Sequence, residues 1–201
     1  VTLLSTGQVA GVPYYTMPYE EGRSLRAYLR EHGPLPIAEV VGLLGDVAKA
    51  LSFAHEHGII HRDVKPDNIL VCGGAAVVSD FGIAKAVSEA KDQPPPRETG
   101  ESLTQIGMSV GTPTYMAPEQ AAADPDVDHR ADIYALGIVA YEMLTGHPPF
   151  IGRNVQALLA AHVVTEPEPI AKRRAGIPPA LATLVMQCLA KRPADRPQEA
   201  I

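Results

Sequence analysis

From Ile37 to His57, apolar residues stand at Ile37, Val40, Val41, Leu44, Val47, Ala48, Leu51 and Ala54, in steps of three and four. This spacing puts them on one face of an α-helix about 30 Å long, at a rise of about 1.5 Å per residue. A different pattern runs from Arg130 to Thr145, where Ile133, Tyr134, Ala135, Leu136, Ile138, Val139 and Ala140 leave no polar face. Such a segment predicts a central helix buried on all sides. Gly146 stops it, and Pro148-Pro149 keeps the following chain extended. Val155 to Val164 and Pro179 to Ala190 predict two more helices. Ser24 to Arg30 predicts a short one, capped by the Ser24 side chain and ended by Gly33-Pro34. Strands are expected at Val1 to Leu4 and Val12 to Met17, separated by a break at Gly7 and Gly11. Two more are expected at Ile69 to Val71 and Ala76 to Val78, around a Gly73-Gly74 turn. Pro18 to Gly22 reads as a connector. No internal repeat is visible, and the proline-rich stretch from Asp92 to Gly100 reads as polyproline-like.

Composition narrows the class. The 201 residues are 46% hydrophobic and 20% charged, which is ordinary for a soluble globular domain. A chain of this size can bury roughly 70% of its unfolded surface. A net charge of −6 argues against nucleic acid or an anionic membrane as the main partner. Cys72 and Cys188 read as reduced, separate thiols, in keeping with a cytoplasmic compartment. No apolar run approaches the roughly 20 residues that span a bilayer, and no signal peptide is visible.

The candidate chemistry lies in two short runs. His61-Arg62-Asp63-Val64-Lys65-Pro66-Asp67-Asn68 precedes the first of the paired strands after residue 68, and Asp80-Phe81-Gly82 follows the second. Asp63 has the right chemistry to accept or orient a hydroxyl proton. Asn68 and Asp80 offer hard oxygen ligands of the kind Mg²⁺ takes. Lys65 would put a positive charge beside a transferring phosphate. The arrangement resembles the catalytic loop and metal-binding triplet of protein kinases, specifically the eukaryotic-like serine/threonine kinases also found in bacteria.

The resemblance extends over essentially the whole chain. It implies an α+β protein-kinase-like fold: residues 1–17 as the last two strands of the N-terminal lobe, 18–22 as the hinge, and 23–201 as a mainly helical C-terminal lobe. Within that lobe, 61–68 is the catalytic loop and 80–119 the activation segment. It further implies transfer of the γ-phosphate of ATP, with Mg²⁺ or Mn²⁺, to Ser or Thr hydroxyls of protein substrates. On this pattern Met17 is the gatekeeper, with Pro18 and Glu20 facing the adenine edge and Leu70 beneath the ring. Thr112 sits near Asp63 and Lys65. His61 packs on Phe81, Gly82 completes the triplet, Glu119 pairs with Arg196, and Asp132 accepts backbone hydrogen bonds from the His61-Arg62 turn. Arg62 is the expected partner of a phosphate on Thr104 or Ser109, with Ser102 behind them. Self-association for autophosphorylation and a cytoplasmic location, free or tethered to a membrane anchor elsewhere, complete the expectation. His55, His57 and His61 lie close in sequence, but their spacing does not fit a helical metal motif.

The chain departs from the family in what it lacks. It holds no Gly-x-Gly-x-x-Gly loop, no strand lysine in a Val-Ala-Ile-Lys context and no partner glutamate helix. Two explanations arise. One is a catalytic domain cut short at its start, whose isolated piece would be inactive. The other is a degenerate kinase-like binding module or scaffold. The start inside a strand, the missing initiator Met and the survival of Asp63, Asn68 and Asp80 favour the first. A small-molecule phosphotransferase shares the Asp and Asn logic, but the Gly111-to-Glu119 segment, which resembles a peptide-docking element, argues against it.

Overall fold

The computed structural model describes residues 5–9, 12–16, 19, 21–81, 113–152 and 154–200. The first element is an antiparallel hairpin of β1 (Ser5–Val9) and β2 (Val12–Thr16), with Ser5 opposite Thr16 and Val9 opposite Val12. The expected strand at residues 1–4 lies outside the described residues. Gly7, expected as a break, sits inside β1 instead. Its cross-strand partner is Tyr14, and a Cβ at Gly7 would lie 2.7 Å from that tyrosine ring. The glycine is therefore where an aromatic ring lies against the backbone, a common use of glycine in a strand.

A three-stranded antiparallel sheet follows, in the order β3 (Arg23–Ser24), β4 (Ile69–Cys72), β5 (Ala75–Val78). Ser24 pairs with Leu70, and Ile69 pairs with Val78. Gly22 enters this sheet so closely that a Cβ would stand 2.7 Å from the Val71 carbonyl oxygen. β3 leads directly into α1 (Leu25–His32), where Ser24 Oγ accepts from the Ala27 N–H at 3.2 Å, as an N-cap should. Gly33 closes α1 in a positive-φ conformation, and the helix runs two residues past Arg30.

α2 (Ile37–Glu56) buries Val40, Leu43, Val47, Leu51 and Ala54. The apolar stripe is wider than the buried face, so Val41 is exposed and Leu44 only partly covered, while Leu43 is buried. The short α3 (Pro118–Ala121) leads to α4 (Arg130–Thr145), in which every residue from Ala131 to Leu144 is buried. Around α4 pack α5 (Val155–Val164), α6 (Ile170–Arg173) and α7 (Pro179–Cys188). Gly137 lets α4 meet α7: a Cβ there would sit 2.7 Å from Cys188 Cβ. Gly146, left-handed at φ 82°, caps α4 with its N–H on the Glu142 carbonyl at 2.7 Å. Cys72 and Cys188 are unpaired thiols, the latter buried and pushed up to a pKa of about 11 by desolvation. Among the described residues, no helix is long and apolar enough to cross a membrane.

Candidate active site

The loop of residues 61–68 is held from beneath by one carboxylate. Asp132, 1% exposed at the first turn of α4, accepts the His61 N–H at 2.8 Å and the Arg62 N–H at 2.7 Å. His55, from the last turn of α2, adds its Nε2 to Asp132 at 2.8 Å. The His61 ring then fixes the next residues. Its Nδ1 accepts from the Asp63 N–H at 3.3 Å, so Nε2 carries the proton and donates to the Ser79 carbonyl at 2.8 Å. The ring also packs on Phe81, with centroids 4.8 Å apart.

Held this way, the loop gathers its polar side chains at one point. Lys65 Nζ donates to Asp63 Oδ2 at 2.6 Å, and Asn68 Nδ2 donates to the same oxygen at 3.0 Å and to the Asp63 carbonyl at 2.9 Å. Both Asn68 donations come from nitrogen, so neither of these bonds occupies its Oδ1. Ser79 Oγ lies 3.2 Å from the Asn68 carbonyl and 3.1 Å from Asp80 Oδ2, so one hydroxyl joins the loop to Asp80. Arg62 and Asp80 both adopt left-handed backbone, at φ 66° and 63°. Such positions cost on the order of 1–3 kcal/mol each and persist where surroundings over-determine them. For Arg62 the surroundings are visible: its N–H is on Asp132, and its carbonyl accepts Gln120 Nε2 at 3.1 Å. A third such residue, Ala123, follows α3.

The donor set suits a divalent cation. One amide oxygen and one carboxylate are hard ligands, and Mg²⁺ is commonly held by one or two such groups together with substrate phosphates.

The segment from Pro113 to Glu119 is fastened at its end by a buried ion pair. Arg196, its side chain fully buried, donates Nη1 to Glu119 Oε1 at 2.6 Å and Nη2 to Oε2 at 2.7 Å. Its remaining N–H groups reach the carbonyls of Ala190 (2.8 Å), Arg130 (2.9 Å) and Lys191 (2.9 Å). All five guanidinium donors are therefore used. Gln120 serves both sides of α3, accepting the Ala117 N–H at 3.0 Å while its amide nitrogen reaches Arg62.

Sequence reasoning missed a second junction. Arg26 of α1 donates Nη1 to Glu142 Oε1 at 2.6 Å, hydrogen-bonds Tyr115 through Nη2, and lies 3.3 Å from Asp67. Tyr115 in turn donates to Glu142 Oε2 at 2.5 Å. Burial opposes the charge on Arg26, but Tyr115 and Glu142 outweigh it and push its pKa upward. Burial and the neighbouring Glu142 carboxylate raise that of Tyr115. No sequence motif marks Arg26, because its partners stand 41, 89 and 116 positions away. His55 and Gln120 were missed for the same reason. The only local signal was Pro118 with Gln120 two residues on, half of an N-terminal capping pattern.

The protein kinase domain family matches residues 1–200 of the chain. The chain belongs to this family. Serine/threonine-protein kinase PknB of Mycolicibacterium smegmatis is 43% identical over 190 residues, covering 94% of this chain and 29% of that protein. Serine/threonine-protein kinase PknD of Mycobacterium tuberculosis is 43% identical over 192 residues, covering 94% of this chain and 27% of its own length. The chain thus spans under a third of the curated relatives it matches. A crystal structure of the Mycobacterium tuberculosis PknI kinase domain is similar with a TM-score of 0.69 at 28% identity, over 98% of this chain and 65% of that one.

Within this kinase domain, Leu70 lies in β4 between Ser24 and Val77 and is partly buried. Arg62 presents an exposed side chain. Met17, Pro18, Glu20, Gly82, Thr104, Ser109 and Thr112 lie outside the described residues. The Arg26 junction has a measurable consequence. Arg26→Ala leaves the Glu142 carboxylate, 6% exposed, with Tyr115 alone. Urea unfolding is expected to show a loss of about 2 kcal/mol, the scale of a hydrogen bond to a charged group.

Proposed function

We propose that the protein carrying this domain is a serine/threonine protein kinase that transfers the γ-phosphate of MgATP to Ser or Thr hydroxyls of proteins. The observation that supports this best is the convergence of Lys65 and Asn68 on Asp63, with Asp80 joined to the same loop through Ser79. Asp63 keeps 39% of its side chain exposed, enough for a substrate hydroxyl to approach. It would accept that hydroxyl's proton or orient it toward phosphorus. Lys65 holds the Asp63 carboxylate in place and puts an ammonium where charge develops on the transferred group. Asn68 Oδ1 and the Asp80 carboxylate would hold Mg²⁺, which neutralises the charge on the phosphate oxygens of the nucleotide. Met17, Pro18, Glu20 and Leu70 are assigned to the nucleotide, Thr112 to the Asp63–Lys65 pair, and Arg62 to a phosphate on Thr104 or Ser109.

The absence of a Gly-rich loop and strand lysine among these 201 residues keeps a second reading alive, a kinase-like module that binds without catalysis. One experiment separates the two. Full-length protein is incubated with MgATP and an acceptor protein, and the phosphorylated residues are identified. Phosphate on Ser or Thr is expected, abolished by EDTA and restored by added Mg²⁺. No transfer by the full-length protein would support the binding module. Phosphate on Tyr alone would remove the Ser/Thr assignment.

A further inference from the structure

His162 is the one fully enclosed imidazole whose role the site described above does not account for. It lies on α5, 0% exposed, among groups from four other places in the chain. Its Nδ1 is 3.0 Å from the hydroxyl of Tyr134 on α4. The Phe150 ring meets it edge-on at 5.0 Å. Lys191 lies over Phe150 at 4.4 Å and donates to the carbonyls of His162 (2.8 Å) and Ala161 (3.3 Å), closing the C-terminal turn of α5. The fourth neighbour is the backbone of Pro113 and Thr114. Those residues belong to the 3₁₀ turn Pro113–Tyr115, against which α5 packs.

Two features make this more than core packing. Among the described residues, His162 Nε2 makes no hydrogen bond of good geometry, although it is buried. Native proteins seldom leave a buried polar atom unpaired, and such an atom calls for an explanation. Burial, then the positive Lys191, pushes the His162 pKa down to about 4, so the ring is neutral near pH 7. A neutral ring carries one proton. With the Tyr134 hydroxyl donating to Nδ1, that proton sits on Nε2. The second feature is Tyr134 itself. Its ring lies under the Arg196 guanidinium at 4.9 Å, and Arg196 holds Glu119. Both ends of the 113–119 segment therefore trace back to one buried tyrosine, through Arg196 at residue 119 and through His162 at residues 113–114.

We propose that the Tyr134–His162 pair is a positioning device for the 113–119 segment, and that it sets the affinity for the acceptor polypeptide without touching the nucleotide. This rests on the kinase reading above, in which that segment receives the acceptor. The hydroxyl of Tyr134 orients the imidazole, the imidazole presents Nε2–H to the turn, and the turn is held at a fixed height above α4. Loss of the pair lets the turn shift while Glu119 stays tethered, so the segment remains attached but its front end is misplaced.

The test uses the full-length kinase and three variants. Tyr134→Phe removes one oxygen and leaves the ring beneath Arg196. His162→Leu removes both nitrogens at similar volume. His162→Gln restores an amide that can both accept and donate. Steady-state kinetics with an acceptor peptide and with MgATP are measured separately, alongside melting temperature. Tyr134→Phe and His162→Leu are expected to raise the peptide KM about fivefold, the factor of one ordinary hydrogen bond. The KM for MgATP and the kcat at saturating peptide should stay within about twofold, and His162→Gln should recover part of the peptide KM. Amide hydrogen exchange at residues 114–116 should rise in Tyr134→Phe, which gives a readout even where His162→Leu folds poorly. An unchanged peptide KM in Tyr134→Phe, or an equal rise in both KM values, overturns the proposal. If the unaltered kinase itself transfers no phosphate, the kinase reading fails first, and the two failures are told apart.

Discussion

Replacing Asp63 with Asn is expected to lower phosphate transfer by about 10³-fold while leaving nucleotide binding nearly unchanged, within the range for removing a positioned general base. The substitution keeps the size and planarity of the side chain but removes its charge and its capacity to take a proton. It also alters the local bonding. Asp63 Oδ2 accepts from both Lys65 and Asn68. An amide offers one accepting oxygen to those two donors, and its own NH₂ competes with theirs. The measurement is incorporation of labelled phosphate by the full-length protein, parent against variant, with nucleotide affinity followed separately. Equal incorporation would take Asp63 out of the reaction. Weakened nucleotide binding at unchanged kcat would make it a structural residue of the loop.

The second large effect falls on stability. Glu119→Ala leaves Arg196 as a buried guanidinium without its carboxylate, and breaking such a pair costs about 3–5 kcal/mol. Against a total of about 5–15 kcal/mol for a typical domain, that is a severe loss. Arg196→Met is expected to cost at least as much, because it strands Glu119 and also three carbonyls, those of Ala190, Arg130 and Lys191. The double replacement should cost less than the sum of the two, since the second change removes the orphan left by the first. Urea unfolding of the three variants measures this. A loss below about 1 kcal/mol in Glu119→Ala would class the pair with exposed ion pairs, whatever its geometry.

These two predictions rest on residues named from the sequence: Asp63 is marked by its own local motif, whereas Glu119 and Arg196, 77 positions apart, are paired only through the family resemblance. Asp63, Lys65 and Asn68 meet within one short loop, and the contacts among these three side chains span no more than five positions. The helices α4 and α5 match the hydrophobic pattern to the residue, because Gly146 and Asn154 mark the boundaries with their own chemistry: a left-handed cap and a side-chain cap on the Ala157 N–H. Where the pattern misled, it did so for tertiary reasons. Gly7 reads as a break only until the Tyr14 ring lies on it, and Val41 reads as core only until the neighbours of α2 leave it uncovered. What stayed illegible was cooperation over distance. Arg26 with Glu142, His55 with Asp132, and Tyr134 with His162 are unremarkable residues until folding brings them together. Periodicity reports which face of a helix is buried, but not which side chain lies opposite.

The helix α4 carries its only two carboxylates at Asp132 and Glu142, ten positions apart. At about 1.5 Å per residue this is a separation of about 15 Å along the axis. One carboxylate supports the backbone of the 61–62 turn, and the other holds Tyr115 and Arg26. The helix thus acts as a ruler between the loop that carries Asp63 and the turn that includes Tyr115. Inserting or deleting one residue between the two marks would shift one against the other by about 1.5 Å and rotate it by about 100°. Side chains along that interval can be exchanged for others of similar volume, but its residue count is fixed by the site it spaces.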